Sequence, residues 1–302
     1  TEKSKDEDQN EGLVGDDPTM KQPDHPPLAT EFVRYVGDAV AVIVATDRLA
    51  AVDAAELVNV DYEPLPAIVA ADKAALSGAP LLHEDAPNNL AFEWEVSGGD
   101  WEQAVRDADV VVEQKVINQR LIPNAMEPRG VIADYNKGSD QITMWTSTQI
   151  PHLVRLLFSL VTGHPESKVR VIAPEVGGGF GSKLYIYAEE VLTGIIAKQL
   201  GRPVKWIEGR QENYLATTHG RDHITIAQIA GNNDGTLLGI NATVHANLGA
   251  YLSTFAPLIP TLLFGLLLSG VYKIPSISCR VFGVFTNTTP VDAYRGAGRP
   301  EA

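Results

Sequence analysis

The stretch VGGGFGSK, Val176–Lys183, sets four glycines among the five residues from Gly177 to Gly181. Glycine loses more conformational freedom on folding than any other residue and adds no side chain to a core. Such a run is costly unless the backbone must approach something closely. KVRVIAPEV (Lys168–Val176), ahead of it, reads as a strand. Behind it, Ile186, Val191, Leu192, Ile195 and Ile196 mark a helix ended by Gly201 and Pro203. A passage from strand to helix leaves free N–H groups at the helix N-terminus, where anions are held. Two phosphate cradles can be tested letter by letter. A P-loop needs Gly before its Lys and Ser/Thr after it, but Lys183 lies between Ser182 and Leu184. A G-x-G-x-x-G fingerprint counted from Gly177 meets Ser182 at its sixth place. Close packing explains an isolated Gly-Gly. Four glycines around an aromatic favour a bulky ligand, often anionic, pressed on the backbone.

Working outward, FVRYVGDAVAVIVA (Phe32–Ala45) has the pattern of two short strands joined at Gly37-Asp38. Asp47 is placed to cap a helix carrying Leu49, Val52 and Ala55, and VNVDYEPLPAIV (Val58–Val69) alternates like a half-buried strand. This strand–helix–strand unit fades in HEDAPNNL. A second unit opens at Asp100 with a capping-box pair, Asp100 and Gln103, followed by strand-like VVVEQKVINQR, the turn-rich PNAMEPRG and ITMWTSTQ. Pro151 suits a first helical position, with Leu153, Leu156, Leu157 and Leu160 as the expected buried face and Gly163 and Pro165 as the stop. VKWIE, a hairpin turning at Asn232–Gly235, and RVFGVFT complete the chain. No internal repeat is present.

The 302 residues are 44% hydrophobic and 21% charged, which fits about two globular domains with an ample core. A net charge of -14 argues against a nucleic-acid surface, which needs a basic stripe. The lone Cys279 excludes a disulfide framework, a four-Cys zinc site and an iron–sulfur cluster ligated by these residues. TEKSKDEDQNEG has no apolar signal-peptide run. PLIPTLLFGLLLSG (Pro257–Gly270) is too short to span a bilayer and reads as a buried core segment. Residues 1–27, acidic with four prolines from Pro18 to Pro27, are expected to be a disordered leader. The absent initiator and the abrupt finish at RGAGRPEA are expected of a fragment.

Several residues compete for function. HGRDH (His219–His223) spaces two histidines four apart, but it leads into strand-like HITIAQIA and structural histidines are the better reading. Arg221 between them could meet an anion or form an ordinary ion pair. Gln149 ends TSTQ before a helix, where its amide can donate into a site or cap a turn. AYRGAG (Ala293–Gly298) is a second glycine turn after a strand, carrying Arg295. Two such turns, each beside a donor, suit a ligand held between loops. Glu127 and Arg129 in MEPRG are placed to pair with each other. No nucleophile signature is present.

RYVGDAVAVIVA, DYEPLP, NAMEPRG, TSTQIPH, VGGGFGSK, RPVKW, NLGAY and AYRGAGRPEA follow one another here in the order found in molybdenum hydroxylase large subunits. The chain resembles that family (xanthine dehydrogenase and aldehyde oxidase) from about Pro27 to Ala302, with most likeness to its aerobic carbon-monoxide-dehydrogenase-like branch. The resemblance implies an α+β (mixed α/β) fold. Residues 28–90 would form part of an α/β hammerhead-type domain, and residues 100–302 the first portion of a molybdopterin-binding domain. It implies a molybdenum–molybdopterin cofactor, in the cytosine dinucleotide form, whose metal is held by the pterin dithiolene and by no side chain. Gln149 matches the glutamine that hydrogen-bonds the metal's apical oxo group. Gly177, Gly178, Gly179, Phe180 and Gly181 match the loop beside the cofactor. Arg295 and Gly296 match the second cofactor-facing loop, and Arg221 a substrate-side arginine.

The implied activity is oxidation of a small substrate with oxygen from water. Electrons would leave through an Fe–S small subunit and an FAD medium subunit, in a dimer of heterotrimers. The expected location is cytoplasmic, with any membrane association made through partners. Carbon monoxide oxidisers carry Cys where this chain has Gly296, and purine oxidisers carry Glu where it has Leu184. The family's base glutamate lies beyond Ala302, so these 302 residues by themselves are expected to be inactive. The alternative is a catalytically incomplete product acting only in folding or as a scaffold.

Overall fold

The computed structural model describes residues 20–302. Its elements run α1 (Arg48–Ala55), α2 (Ala71–Ala74), β1 (Leu90–Gly98), α3 (Trp101–Asp107), β2 (Val110–Asn118), β3 (Gly130–Asn136) and β4 (Gln141–Thr146). Then come α4 (Pro151–Thr162), β5 (Val169–Ile172), α5 (Ala188–Leu200), β6 (Val204–Ile207), α6 (Arg210–Ala216), β7 (His223–Gly231), β8 (Leu237–Gly249), α7 (Leu262–Gly265) and β9 (Ser276–Phe285). The fold is mixed α/β.

Two sheets carry it. The larger has the order β1-β9-β8-β7-β2, with β8 and β9 parallel and the other pairs antiparallel. Its core is Phe92, Val244, Leu248, Phe264, Cys279, Val281 and Phe285. A parallel pair needs a long crossover, and residues 250–275 supply it. The smaller sheet has the order β5-β4-β3-β6, with β4 and β5 parallel. α4 and α5 cover it, closing a core of Val131, Ile142, Met144, Phe158 and Ala197.

Local chemistry explains the helix ends. Asp47 accepts from Ala50 N–H at 3.0 Å, and Asp100 accepts from Gln103 N–H at 2.9 Å. The Gln103 side chain does not close the expected box; it turns to Asp107 and Arg106. Gly163 and Gly201 end α4 and α5 in the left-handed conformation that a Cβ disfavours. The hairpin at Asn232–Gly235 forms as expected, with Asn232 N–H donating to Thr236 O.

Five further expectations need correction. Phe32–Ala45 and Val58–Val69 form no strand and belong to no sheet. Alternation makes a strand only where a partner ladder is present, and none lies beside them among the described residues. Part of the leader is ordered: Lys21 N–H donates to Ala91 O, and His25 stacks on Tyr251 with ring centroids 3.8 Å apart. The rest of that expectation, residues 1–19, lies outside the described residues. On α4 the buried residues are Val154 and Phe158, while Leu160 is exposed. The contact line is set by Phe158 meeting Gly194 of α5 and not by the leucine stripe. Pro257–Gly270 is only half core: Ile259 and Phe264 turn inward, but Leu262, Leu263, Leu266 and Leu267 face out. Finally, α5 begins at Ala188, so residues 182–187 separate the glycine run from any helix N-terminus.

A Cβ at Gly194 would lie 2.5 Å from the Phe158 ring. Helix propensity alone would make Gly194→Ala stabilising by ~1 kcal/mol, while overpacking costs about 1–3 kcal/mol. The expected outcome is a net loss, read as a lower urea midpoint at an unchanged slope.

Candidate functional site

Strand direction gathers the site. β4 and β5 are parallel, so the chain leaves both at one edge of the sheet: Ser147–Gln149 after β4, and the turn through Gly177–Lys183 after β5. β3 is antiparallel to β4, so the segment ahead of it, Glu127–Arg129, reaches the same edge. Glu208 arrives there after β6, which pairs with the start of β3.

Each glycine of the run meets a protein atom. A Cβ at Gly177 would stand 2.5 Å from Glu127 Cβ, and one at Gly179 would stand 2.3 Å from Gln149 Oε1. One at Gly181 would stand 1.9 Å from the Ala293 carbonyl oxygen, and Gly181 also has φ +110°. Phe180, between them, holds φ +55°, a conformation that costs a non-glycine residue of order 1 kcal/mol. The backbone approaches its own neighbours, and that compression fixes the turn. Gly177 N–H donates to Glu127 Oε2 (2.7 Å), and Gly181 N–H donates to Gln149 Oε1 (3.0 Å). The N–H groups of Gly179 and Phe180 have no acceptor among the described residues. With Oε1 of Gln149 committed, its Nε2 donor has no acceptor among the described residues.

The second glycine turn locks onto the first. Arg295 N–H donates to Phe180 O at 2.9 Å, and the Arg295 guanidinium stands 5.8 Å from the Phe180 ring centroid. That guanidinium is exposed and makes no hydrogen bond among the described residues. Gly296 has φ +91°. Below the turn, Asp292 is buried and accepts from Ser253 O–H and from the N–H groups of Phe255 and Ala293. Burial pushes its carboxyl up to about 6 against those three bonds.

Arg221 is placed as a brace. It is 6% exposed, with Nη1 donating to Tyr294 O (2.6 Å) and Glu301 Oε1 (2.9 Å) and Nη2 donating to Arg295 O (3.0 Å). These bonds hold the second turn and leave the guanidinium buried instead of facing an open site. His219 and His223 are buried, and His219 Nε2 lies 3.0 Å from Tyr214 O. Desolvation is the main cause that lowers both imidazoles to about 4.

Glu127 and Arg129 do not pair. Glu127 binds Lys183 Nζ (2.9 Å) and Ser147 O–H (2.8 Å), while Arg129 joins Glu189 and Glu208. Partial burial works against the Glu127 charge, but the bonds from Lys183, Ser147 and Gly177 N–H outweigh it and hold the carboxyl below its usual range. Lys183 and Ser147 were the residues that motif reading passed over. The only signal was a lysine closing a glycine run, and the P-loop test had set it aside.

A family profile described as molybdopterin cofactor-binding domain matches residues 82–302. The chain belongs to the molybdenum hydroxylase large-subunit family. A second profile, the a/b hammerhead domain of aldehyde oxidase and xanthine dehydrogenase, matches residues 4–66. Among relatives of this molybdenum hydroxylase chain, the nicotine 6-hydroxylase large subunit of Paenarthrobacter nicotinovorans is 36% identical over 90% of the chain and 34% of its own length. The carbon monoxide dehydrogenase large chain of Hydrogenophaga pseudoflava is 37% identical over 89% of the chain and 35% of its own length. The crystal structure of quinoline 2-oxidoreductase from Pseudomonas putida 86 superposes with a TM-score of 0.86 at 34% identity, covering 93% of this chain and 36% of that one. The chain thus spans about a third of the length of these relatives. No helix among the described residues is long and apolar enough to cross a membrane.

Two outcomes are expected. Gly181→Ala, at φ +110° against Ala293 O, separates the two turns and costs more than 2 kcal/mol. Gly163→Ala, at φ +68° with nothing within 4 Å, costs about 1 kcal/mol. Denaturant titration of both distinguishes them. Folding lowers the His219 and His223 values from 6.5 to about 4, so their contribution is complete above pH 6.5 and is lost as pH falls toward 4. Asp292, raised from 3.8 to about 6, has the opposite slope in that window. Burial lowers the imidazoles of His83 and His245 as well and raises the Glu190 carboxyl, so four imidazoles against two carboxyls give a net fall in unfolding midpoint between pH 6.5 and pH 4.5; a flat profile would refute the assignment.

Proposed function

We propose that this chain presents the cofactor-facing loops of a molybdenum hydroxylase. Gln149, the run Gly177–Gly181, and Arg295 with Gly296 would hold a molybdopterin cofactor, in its cytosine dinucleotide form. The observation that carries this reading is the donor set where the two glycine turns lock together. Free N–H groups on Gly179 and Phe180, the Gln149 Nε2 and the Arg295 guanidinium are all donors. Such a set fits an acceptor-rich group of oxo, phosphate and pterin carbonyl oxygens.

When bound, the cofactor supplies two-electron oxidation with oxygen drawn from water. The chain's own residues orient it. Gln149 donates through Nε2 because Gly181 N–H occupies Oε1. The Gly179 and Phe180 amides are fixed before any ligand arrives, so they need no reorganisation as charge develops on oxygen; losing one such donor costs about 3 kcal/mol. Fe–S and FAD partner subunits would take the electrons, in keeping with relatives named as large subunits and large chains. A cytoplasmic complex is the setting we propose.

The substrate is a small organic molecule hydroxylated at carbon, of the N-heterocycle kind that names two of the relatives, and not carbon monoxide. Gly296 offers no thiol at the second turn. Cys279 cannot stand in, because it lies in the larger sheet's apolar core and burial pushes its thiol up to about 11. Leu184 supplies no carboxylate for purine recognition.

In the complete enzyme, Gln149→Ala is expected to lower kcat about a hundredfold with molybdenum retained. Gly179→Val, driven into Gln149, is expected to abolish turnover. Molybdenum content and hydroxylation with 18O-labelled water are the measurements. Near-wild-type rates in both variants would sink the assignment, and wild-type protein without molybdenum would favour the catalytically incomplete alternative.

A further inference from the structure

Lys183 is 2% exposed, and its ammonium finds both of its acceptors on one residue, the carbonyl oxygen and Oε2 of Glu127, each at 2.9 Å. The same Oε2 accepts from Gly177 N–H and Ser147 O–H, and Glu127 N–H returns a bond to Gly177 O. Three chain segments therefore meet on one carboxylate: the end of β4, the run after β5 and the approach to β3. Burying an ammonium costs about as much as its pairing returns, so such a pair is weak as a source of stability and serves better to select one geometry.

The anchors bracket the exposed turn. Gly177 is held at one end and Lys183 at the other, and the free N–H groups of Gly179 and Phe180 lie between them. Gln149 is drawn into the same net. Its N–H donates to Lys183 O at 2.9 Å, while its Oε1 accepts from Gly181 N–H and, at 3.4 Å, from Lys183 N–H.

We propose that Glu127 and Lys183 are positioning residues: their ion pair sets the span from Gly177 to Lys183, and through it the aim of the Gly179 and Phe180 N–H groups and of the Gln149 amide. The inference rests on the functional reading above and extends it to two residues behind the donor set.

The test uses the complete enzyme complex. Glu127→Gln keeps the side chain's shape and removes its charge; Lys183→Met keeps most of the volume and removes the ammonium. Hydrogen exchange across residues 176–184 is expected to quicken about tenfold in each variant, as for loss of one charge-assisted hydrogen bond. Turnover per bound molybdenum is expected to fall about tenfold with KM within about twofold, the pattern of a lost transition-state interaction. Molybdenum content and melting temperature stay close to wild type.

Unchanged exchange with unchanged turnover per molybdenum overturns the proposal. A fall in activity that follows only molybdenum content overturns it too, since that is the signature of a merely structural role. If Lys183→Met does not fold, Glu127→Gln alone decides. Wild-type complex lacking molybdenum would defeat the functional reading, and the exchange measurement would still judge the tie.

Discussion

β4 and β5 run parallel from the pair Ile142–Val169 to the pair Trp145–Ile172, and β3 runs against β4. A parallel pair releases both chains at the same edge of the sheet, and an antiparallel neighbour begins there. Gln149, Gly177–Lys183 and Glu127 are therefore delivered to one place by backbone direction, before any side chain is considered. Everything at the site is an answer to that crowding. Gly177 must be glycine because Glu127 is there, Gly179 because Gln149 is there, and Gly181 because the Ala293 carbonyl arrives from beyond β9.

The same edge is fastened a second time behind the site. Arg129 is buried and gives Nη1 to Glu189, Nη2 and Nε to Glu208, and Nε also to Thr217, while its guanidinium lies 3.6 Å from the Tyr187 ring centroid. Burial opposes that charge, but Glu189 and Glu208 outweigh it and raise its pKa. Glu190 takes Thr146 O–H and Tyr187 N–H, which ties the start of α5 to the end of β4. An ion pair this deep holds only when its remaining donors and acceptors are satisfied. Here both oxygens of Glu189 and both of Glu208 accept from Arg129, and the sheet edge is tied to the start of α5.

Much of the local structure could be read from the letters. The Asp47 and Asp100 caps, the glycine stops at Gly163 and Gly201 and the Asn232–Gly235 hairpin each depend on residues within one or two turns, so the sequence holds both partners of every bond. Period alone was a poorer guide. The alternation in Phe32–Ala45 and Val58–Val69 was real, yet sheet formation needs a neighbour that no local pattern reveals. The leucines of Pro257–Gly270 looked uniformly interior, but a crossover between parallel strands has two sides: Ile259 and Phe264 are buried and Leu268 packs against the core, while Leu262, Leu263, Leu266 and Leu267 face out.

The candidate site divides along the same line. The family and the two glycine turns were legible because they lie in short contiguous motifs, and the donors proposed for the site, Gln149 and Arg295, lie in such motifs too. Tertiary structure alone decided that Glu127 turns to Lys183 and Arg129 to Glu189 and Glu208, and that Arg221 braces Tyr294 and Arg295. Those partners stand 56, 60, 79 and 73 residues apart or more. A buried charge must take whatever opposite charge the folded chain brings within reach, and spacing along the sequence carries no record of that distance.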